Sequence, residues 1–359
     1  MEEIFEMITS IPKSQYANHC RLQRTNEAKV VAVNKDFTIY DTLNNLDKFF
    51  TFNDVIVVND SAVIPGSFQA IHYPTNIPIE FRLVRFLGKK KTDFKKWEAI
   101  IYGKGNWTIA TENRLLPPDI CLGDLLLAGD LIAEVIDFVS TNKRLIIIEF
   151  HEPDSSLLNK IYTNGKMIQY SYLKDELKVW DHQTLFSCYP VSIEPSSAVF
   201  QLNWDLIFKL QMKGIKIIPI THSISISNTG IRELDNKLPF PERYWLSEKS
   251  AEELNEAMEN NYEIIAFGTS VTRSLESIMT KNKRFTKGSD NVELVIDENY
   301  QLKVTNGLLT GMHMMNESHI NLMQAFLPLD KIKREYDLAL KKNFLWHEYG
   351  DSMLIKNFQ

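Results

Sequence analysis

Apolar residues fall along this chain in two regimes. From about residue 29 to 150 they form short β-branched and aromatic runs separated by turn residues: KVVAV (29–33), VIVV (55–58), IEFRLVRFL (79–87), WEAIIYG (97–103), LIAEVIDFV (131–139) and RLIIIEF (144–150). Runs of this length and spacing predict the strands of a compact sheet or barrel. After residue 155 strands alternate with helices. Asn203 is placed to cap a helix over 204–213, and Gly214 stands where a helix ends. IKIIPI (215–220) reads as a buried strand, and Ser250 with Glu253 as a capping box ahead of the helix AEELNEAMENN (251–261). EIIAF (263–267) predicts a strand, SVTRSLESIMT (270–280) a helix, VELVI (292–296) a strand, and 316–325 and 330–342 helices. This alternation predicts a mixed α+β chain: a larger α/β domain from 1–60 and 155–359, interrupted by a β-rich, antiparallel barrel-like domain over 61–154.

Composition narrows the class without deciding the chemistry. The 359 residues suffice for a sizeable core, and 44% hydrophobic with 24% charged residues is the balance of a globular chain. No apolar run approaches the roughly 18 residues that cross a bilayer. The acidic start MEEIFEMITS lacks the basic-then-apolar order of a signal peptide, so a cytoplasmic protein without membrane contact is expected. Cys20, Cys121 and Cys188 are sparse and distant, which suggests buried free thiols rather than disulfides or zinc. The net charge of −6 argues mildly against nucleic acid, but two basic runs stand out. They are Lys89-Lys90-Lys91 with Lys95-Lys96, and Lys281, Lys283, Arg284 with Lys287. Solvated loops and an RNA-facing patch explain them equally; RNA recognition requires both runs on the face of the site.

Three segments are placed to carry chemistry. In IIAFGTSVTRSLES (264–277) a buried strand delivers Gly268 to a helix start, where free N–H groups and a positive dipole end meet a ligand. Thr269 and Ser270 offer hydroxyls there, and Arg273 one turn on offers a guanidinium; ordinary capping and a salt bridge to Glu276 explain the same residues. In VIVVNDSAVIPG (55–66) the strand ends in Asn59-Asp60-Ser61, a site-like or Asx-turn arrangement. In WHEYGDSMLI (346–355), Tyr349-Gly350-Asp351 form a polar turn, with Asp351 a candidate carboxylate. His222 and His313 are either general acid–base groups or hydrogen-bonded structural residues. No HExxH or CxxC spacing, dinucleotide glycine fingerprint, P-loop or serine-hydrolase elbow occurs, so no metal site is expected.

Taken together, these segments resemble the S-adenosylmethionine:tRNA ribosyltransferase-isomerases of queuosine biosynthesis. GTSVTRSLES is similar to that family's Gly-Thr-Thr-x-x-Arg-Ser-Leu-Glu signature, and NDSAVIPG to its Asn-(Asn/Asp)-Thr-Arg-Val-x-Pro-Ala segment. IEFRL (79–83), WEAII (97–101), HQTLFS (182–187), LKVTNGLLTGMH (302–313) and EYGDSMLI (348–355) follow in the family's order, from Ile11-Pro12 to Ile355. The resemblance implies an α/β domain with an inserted β-barrel. It also implies transfer and isomerisation of the ribosyl part of S-adenosylmethionine onto 7-aminomethyl-7-deazaguanine at the tRNA wobble position, giving epoxyqueuosine-tRNA with release of adenine and methionine. S-adenosylmethionine would be a co-substrate, with no prosthetic group or metal, tRNA the partner through its anticodon region, and the protein a monomer. Residue by residue, it carries over Asn59, Asp60, Glu80, Gly268, Thr269, Arg273, Ser274, Glu276, His313, Tyr349, Gly350 and Asp351. Arg273 is expected to hold the methionine carboxylate or a tRNA phosphate. Asp351, Glu80, His313 and His222 are the expected catalytic groups; Asn59, Asp60, Gly268, Thr269, Ser270, Arg273, Ser274, Glu276, Tyr349 and Gly350 the expected substrate-binding ones.

The chain departs from the pattern at several points. The family's Pro-Thr-Ala-Gly-Leu-His-Phe is replaced by Pro195-Ser196-Ser197-Ala198-Val199-Phe200-Gln201, and its His-x-Gly-x-Gly-Thr-Phe by His222 to Asn228, where Ile224 and Ile226 are expected to obstruct a ligand. Thr-Arg becomes Ser61-Ala62, His-Leu-Pro-x-Ser-Thr becomes His313 to Ser318, and an arginine-rich N-terminal segment is reduced to Arg21 and Arg24. Two further readings stay open: a paralogue that uses S-adenosylmethionine on a small-molecule acceptor, and an inert nucleoside- or RNA-binding relative.

Overall fold

The computed structural model describes residues 11–17, 26–141, 143–315 and 317–358; Cys20, Arg21, Arg24 and position 316 of the predicted 316–325 helix lie outside them. Strands β1 (Lys29–Val33), β2 (Thr38–Thr42) and β3 (Asp54–Asn59) open a large sheet, followed by the short β4 (Ser61–Val63). Then come β5 (Ser67–His72), β6 (Ile77–Phe86), β7 (Lys96–Gly103), β8 (Leu125–Ala128), β9 (Leu131–Phe138) and β10 (Leu145–Phe150). These six close on themselves in the order β10-β7-β6-β5-β8-β9, an antiparallel barrel, so no edge is left to pair. Alternation along β6 sends Ile79, Phe81 and Leu83 to one face, where Phe81 stacks on Phe68 at 4.8 Å, and Glu80 and Arg82 to the other.

The chain then returns to the large sheet. β11 (Tyr189–Ser192) pairs with β4. β12 (Lys216–His222), β13 (Glu242–Leu246), β14 (Glu263–Phe267), β15 (Gly288–Val292), β16 (Gly307–Gly311) and β17 (Ser352–Ile355) complete nine strands in the order β15-β13-β12-β3-β14-β16-β17-β1-β2. The central β12, β3, β14 and β16 are parallel. β3 is buried at every position because helices cover both faces. Ile56 and Val58 pack with Leu206, Ile207 and Leu210 of the helix Trp204–Met212. Val55 and Val57 pack with Leu254 of the helix Glu248–Glu259 and Leu275 of the helix Thr269–Asn282. No helix among the described residues is long and apolar enough to cross a membrane.

The α/β sheet with its barrel is the class the periodicity predicts. Asn203 caps its helix through Leu206 N at 2.9 Å, and Gly214 follows at φ +80°. Several expectations need correction. Ser247, not Ser250, caps the helix Glu248–Glu259; Ser250 donates its amide to Ser247 from inside the first turn. VELVI is not a strand: pairing with β13 ends at Val292. Cys121 and Cys188 are solvent-facing rather than buried thiols. Ile226 does not obstruct a ligand, because it is sunk in the barrel's core and donates its amide to Val84 O at 3.0 Å, docking the barrel on the sheet.

Candidate active site

In an open α/β sheet ligands bind outside the C-terminal ends of the parallel strands. Here β3 ends at Asn59, β12 at His222 and β16 at Gly311, while β14 delivers Gly268. β17 runs the other way, so the turn Tyr349-Gly350-Asp351 that precedes it reaches the same edge. Asn59, Asp60, His222, Gly268, Thr269, Ser270, His313, Tyr349, Gly350 and Asp351 therefore gather along one rim, with Arg273, Ser274 and Glu276 in the helix that starts there. Glu80 is elsewhere, in the barrel.

Most of these side chains are consumed by the fold. Asn59 accepts from His222 N and donates to His222 O, each at 2.9 Å, tying β3 to β12. His222 is fully buried, with Nδ1 2.6 Å from Ser274 Oγ and Nε2 2.8 Å from Glu242 Oε2. Arg273 donates to Glu242 Oε2 at 2.7 Å and to the Leu294 and Val292 carbonyls. Burial works to raise the Glu242 pKa, but His222, Arg273 and the Ser225 amide outweigh it and hold the carboxyl well below its ordinary range. The Ser274–His222–Glu242 order has the look of a nucleophile relay, with all three groups buried.

In this structure the Arg273 guanidinium, expected to hold an anionic group, is engaged by Glu242 and the Leu294 and Val292 carbonyls. Glu276 accepts the Lys303, Val304 and Thr305 amides, clamping the loop before β16. Asp351 accepts Lys29 N at 2.9 Å and Leu345 N at 2.8 Å, so it organises backbone rather than standing free for proton transfer. At Gly350 a Cβ would lie 2.4 Å from Leu345 O, so the turn requires glycine. Glu80 is buried between Arg82 Nε at 2.6 Å and Arg114. Burial raises its pKa, but the two arginines prevail and lower it, the state of a structural ion pair rather than a general acid. Asp60 is raised by burial, against the Thr221 hydroxyl and Lys91, and sits with Thr221, Lys91 and Tyr189 where the barrel hairpin meets the rim.

His313 bonds Thr310 Oγ1 at 2.8 Å and Glu317 at 3.2 Å, and burial, then His319, lower its pKa to about 4. His313, Glu317 and His319 bring possible metal-binding atoms within 4.8 Å. The two imidazoles stack at 3.9 Å and 3°, however, and an ion cannot lie in both ring planes at about 2.1 Å from each nitrogen. The cluster as built is a hydrogen-bonded one.

Two parts of the rim are not consumed. The first is the helix start itself: Gly268 is buried at φ +115°, and Thr269 and Ser270 are half-exposed. The segment 195–200 lies across it, with Ser196 Oγ 3.6 Å from a Gly268 Cβ position and Ser197 Oγ 3.9 Å from one at Gly311. The second is a cavity beside that segment, lined by Tyr170, Tyr172, His182, Glu194, Glu348 and Tyr349. Tyr170 donates to Glu194, which also accepts Ser227 N at 3.0 Å. Tyr172 Oη, His182 Nε2 and Glu348 Oε2 are sealed from solvent without a hydrogen-bond partner among the described residues. Burial pushes Glu348 up to about 7 and His182 down to about 4. Unpaired buried polar atoms are costly, and their convergence on one small cavity makes it a candidate place for a water or a polar ligand group.

The family model described as queuosine biosynthesis protein matches residues 8–355. The chain belongs to that family. Among its curated relatives, the S-adenosylmethionine:tRNA ribosyltransferase-isomerase of Thermoanaerobacter sp. (strain X514) is 26% identical over 320 residues, covering 88% of each chain. The enzyme of the same name from Chloroherpeton thalassium is 26% identical over 360 residues, covering 96% of this chain and 97% of its own. The crystal structure of S-adenosylmethionine tRNA ribosyltransferase from Thermotoga maritima superposes with a TM-score of 0.52 at 18% identity, covering 96% of this chain and 98% of that one, which shows a shared fold. Membership of the queuosine family draws attention to residues that sequence reasoning passed over. His182 and Glu348 open the very segments, HQTLFS and EYGDSMLI, that carry the resemblance. The Tyr-Gly-Asp turn beside Glu348 drew the reading instead.

Proposed function

We propose that this chain transfers and isomerises the ribosyl moiety of S-adenosylmethionine onto 7-aminomethyl-7-deazaguanine in tRNA, giving epoxyqueuosine-tRNA with release of adenine and methionine. Family membership supports the reaction class, and the names of the relatives supply the two substrates. The observation that carries the reading to this chain is the rim cavity in which Glu348, His182 and Tyr172 present unpartnered polar atoms. The sulfonium makes the neighbouring 5′ carbon of the sugar both electrophilic and acidic. The chemistry then needs a base poised near neutrality, groups that orient the ribose, and exclusion of water. Glu348, at about 7, is the proton acceptor in this reading. His182 is neutral at that pH and hydrogen-bonded through Nδ1 to the Tyr349 hydroxyl at 3.3 Å, so Nε2 and Tyr172 Oη are left to contact hydroxyls of the sugar. Asn59, His222, Ser274, Glu276 and Asp351 hold the rim in shape.

The test is direct. The protein is mixed with S-adenosylmethionine and tRNA bearing the aminomethyl-deazaguanine, and free adenine and the mass of the tRNA are followed. Adenine release with a matching gain in tRNA mass is expected. Adenine release that needs no tRNA, or none with any acceptor, overturns the proposal.

A further inference from the structure

The helix Thr269–Asn282 begins without a capping side chain, because its cap position is Gly268. Its first helical hydrogen bond is Thr272 N to Gly268 O at 3.1 Å, so the amides of Thr269, Ser270 and Val271 precede any intrahelical partner. A helix start alone is no site. Here a second observation points the same way. Ser196 is 5% exposed, and its Oγ finds no partner among the described residues, yet it faces Gly268 at 3.6 Å from where a Cβ would stand. A sealed hydroxyl without a partner and a helix start whose first amides find no backbone acceptor among the described residues meet at one corner.

The corner's charge selects an acceptor. Arg273, the guanidinium nearest in sequence, is turned away onto Glu242, so no arginine or lysine side chain of this helix's first two turns serves the corner. The positive potential is that of the helix end, equivalent to about half a charge. That suits a monoanion with two acceptor oxygens. Ala198 stands 3.9 Å from the same Cβ position and closes the other side, which favours a compact terminal group over a phosphodiester within a polymer. Pro195 links the corner to the Glu348 cavity, since it lines that cavity and precedes Ser196. We infer that the Thr269 and Ser270 amides and the Ser196 hydroxyl form a carboxylate subsite that holds the α-carboxylate of the methionine part of S-adenosylmethionine. This rests on the proposed function and deepens it.

The test compares binding of S-adenosylmethionine with its decarboxylated analogue by equilibrium dialysis, for the unaltered protein and for Ser196→Ala. The unaltered protein is expected to bind the carboxylated compound at least about tenfold more tightly, the scale of a hydrogen bond to a charged group. Ser196→Ala is expected to weaken that compound about tenfold and leave the analogue unchanged. Equal binding of the two compounds by the unaltered protein, or a ratio untouched by both Ser196→Ala and Ser196→Asp, overturns the subsite while leaving the reaction intact. A variant that loses tRNA affinity instead, with the ratio unchanged, assigns the corner to a phosphate and equally overturns it. Failure of both sulfonium compounds to bind removes the proposed function along with the subsite. Ser196→Asp guards against a silent alanine: its like charge should abolish the preference for the carboxylated ligand without weakening the analogue.

Discussion

At the scale of the residue, most of the expected site groups are engaged by neighbours, while several buried polar atoms at the rim are not. His222 and Asp351 attract attention in the sequence, but each spends both of its side-chain polar atoms on named neighbours. Glu348 is half-buried with Oε2 sealed and unpaired, and burial lifts it from an ordinary 4.5 to about 7. Between those two values the folded protein keeps a proton the unfolded chain has released, so stability falls as pH rises through that window and stays lowered above it. Glu348→Gln should remove this fall, raising Tm at pH 8 relative to the unaltered protein. If Glu348 is the proton acceptor, kcat/KM should climb with pH to a plateau with a midpoint near 7. In Glu348→Gln it should be lower by roughly 10²–10⁴-fold and flat in pH. An unaltered pH profile in the variant would assign the proton to another group.

At the scale of the element, the decisive piece is the strand β14, its glycine and the helix that follows. Buried apolar residues drive EIIAF into the sheet centre, and Gly268 turns the chain at φ +115°, a conformation that side-chain-bearing residues rarely adopt. A Cβ there meets nothing nearer than 3.6 Å, so Gly268→Ala strains the backbone without a clash. The expected cost is about 1–3 kcal/mol of stability, measured by denaturant unfolding. S-adenosylmethionine affinity should fall as well, because the helix start shifts. The helix was legible from its periodicity, and the glycine from its place between strand and helix. The direction in which Arg273 points was not, because it depends on Glu242, which lies 31 residues away in sequence.

At the scale of the whole molecule, the two basic runs part company. Lys91 is held at the rim, donating to Thr221 Oγ1 at 3.1 Å and lying 3.2 Å from the centre of the Tyr189 ring, with exposed Lys89 and Lys90 beside it. The second run lies at the far end of a 14-residue helix that begins at the rim, about 21 Å away. Lys281 and Lys287 are there paired with Asp290 and Glu248. Charge reversal at Lys89 and Lys90 should weaken tRNA binding and flatten its salt dependence, whereas reversal at Lys283 and Arg284 should leave both unchanged. Equal effects from the two pairs would mean that tRNA wraps the molecule rather than docking at the rim.

Local periodicity and turn chemistry determined the element types, the α/β class with its barrel, and the motif order that marks the queuosine family, since each depends on neighbours in sequence. Tertiary structure alone decided which polar residues are spent: Glu80 on arginines, Arg273 on Glu242, Asp351 on backbone amides. It also left a buried polar atom without a partner among the described residues on Ser196, Tyr172, His182 and Glu348, among others. Whether a buried group is satisfied depends on partners brought together by sheet order and barrel docking, and no spacing along the chain encodes that.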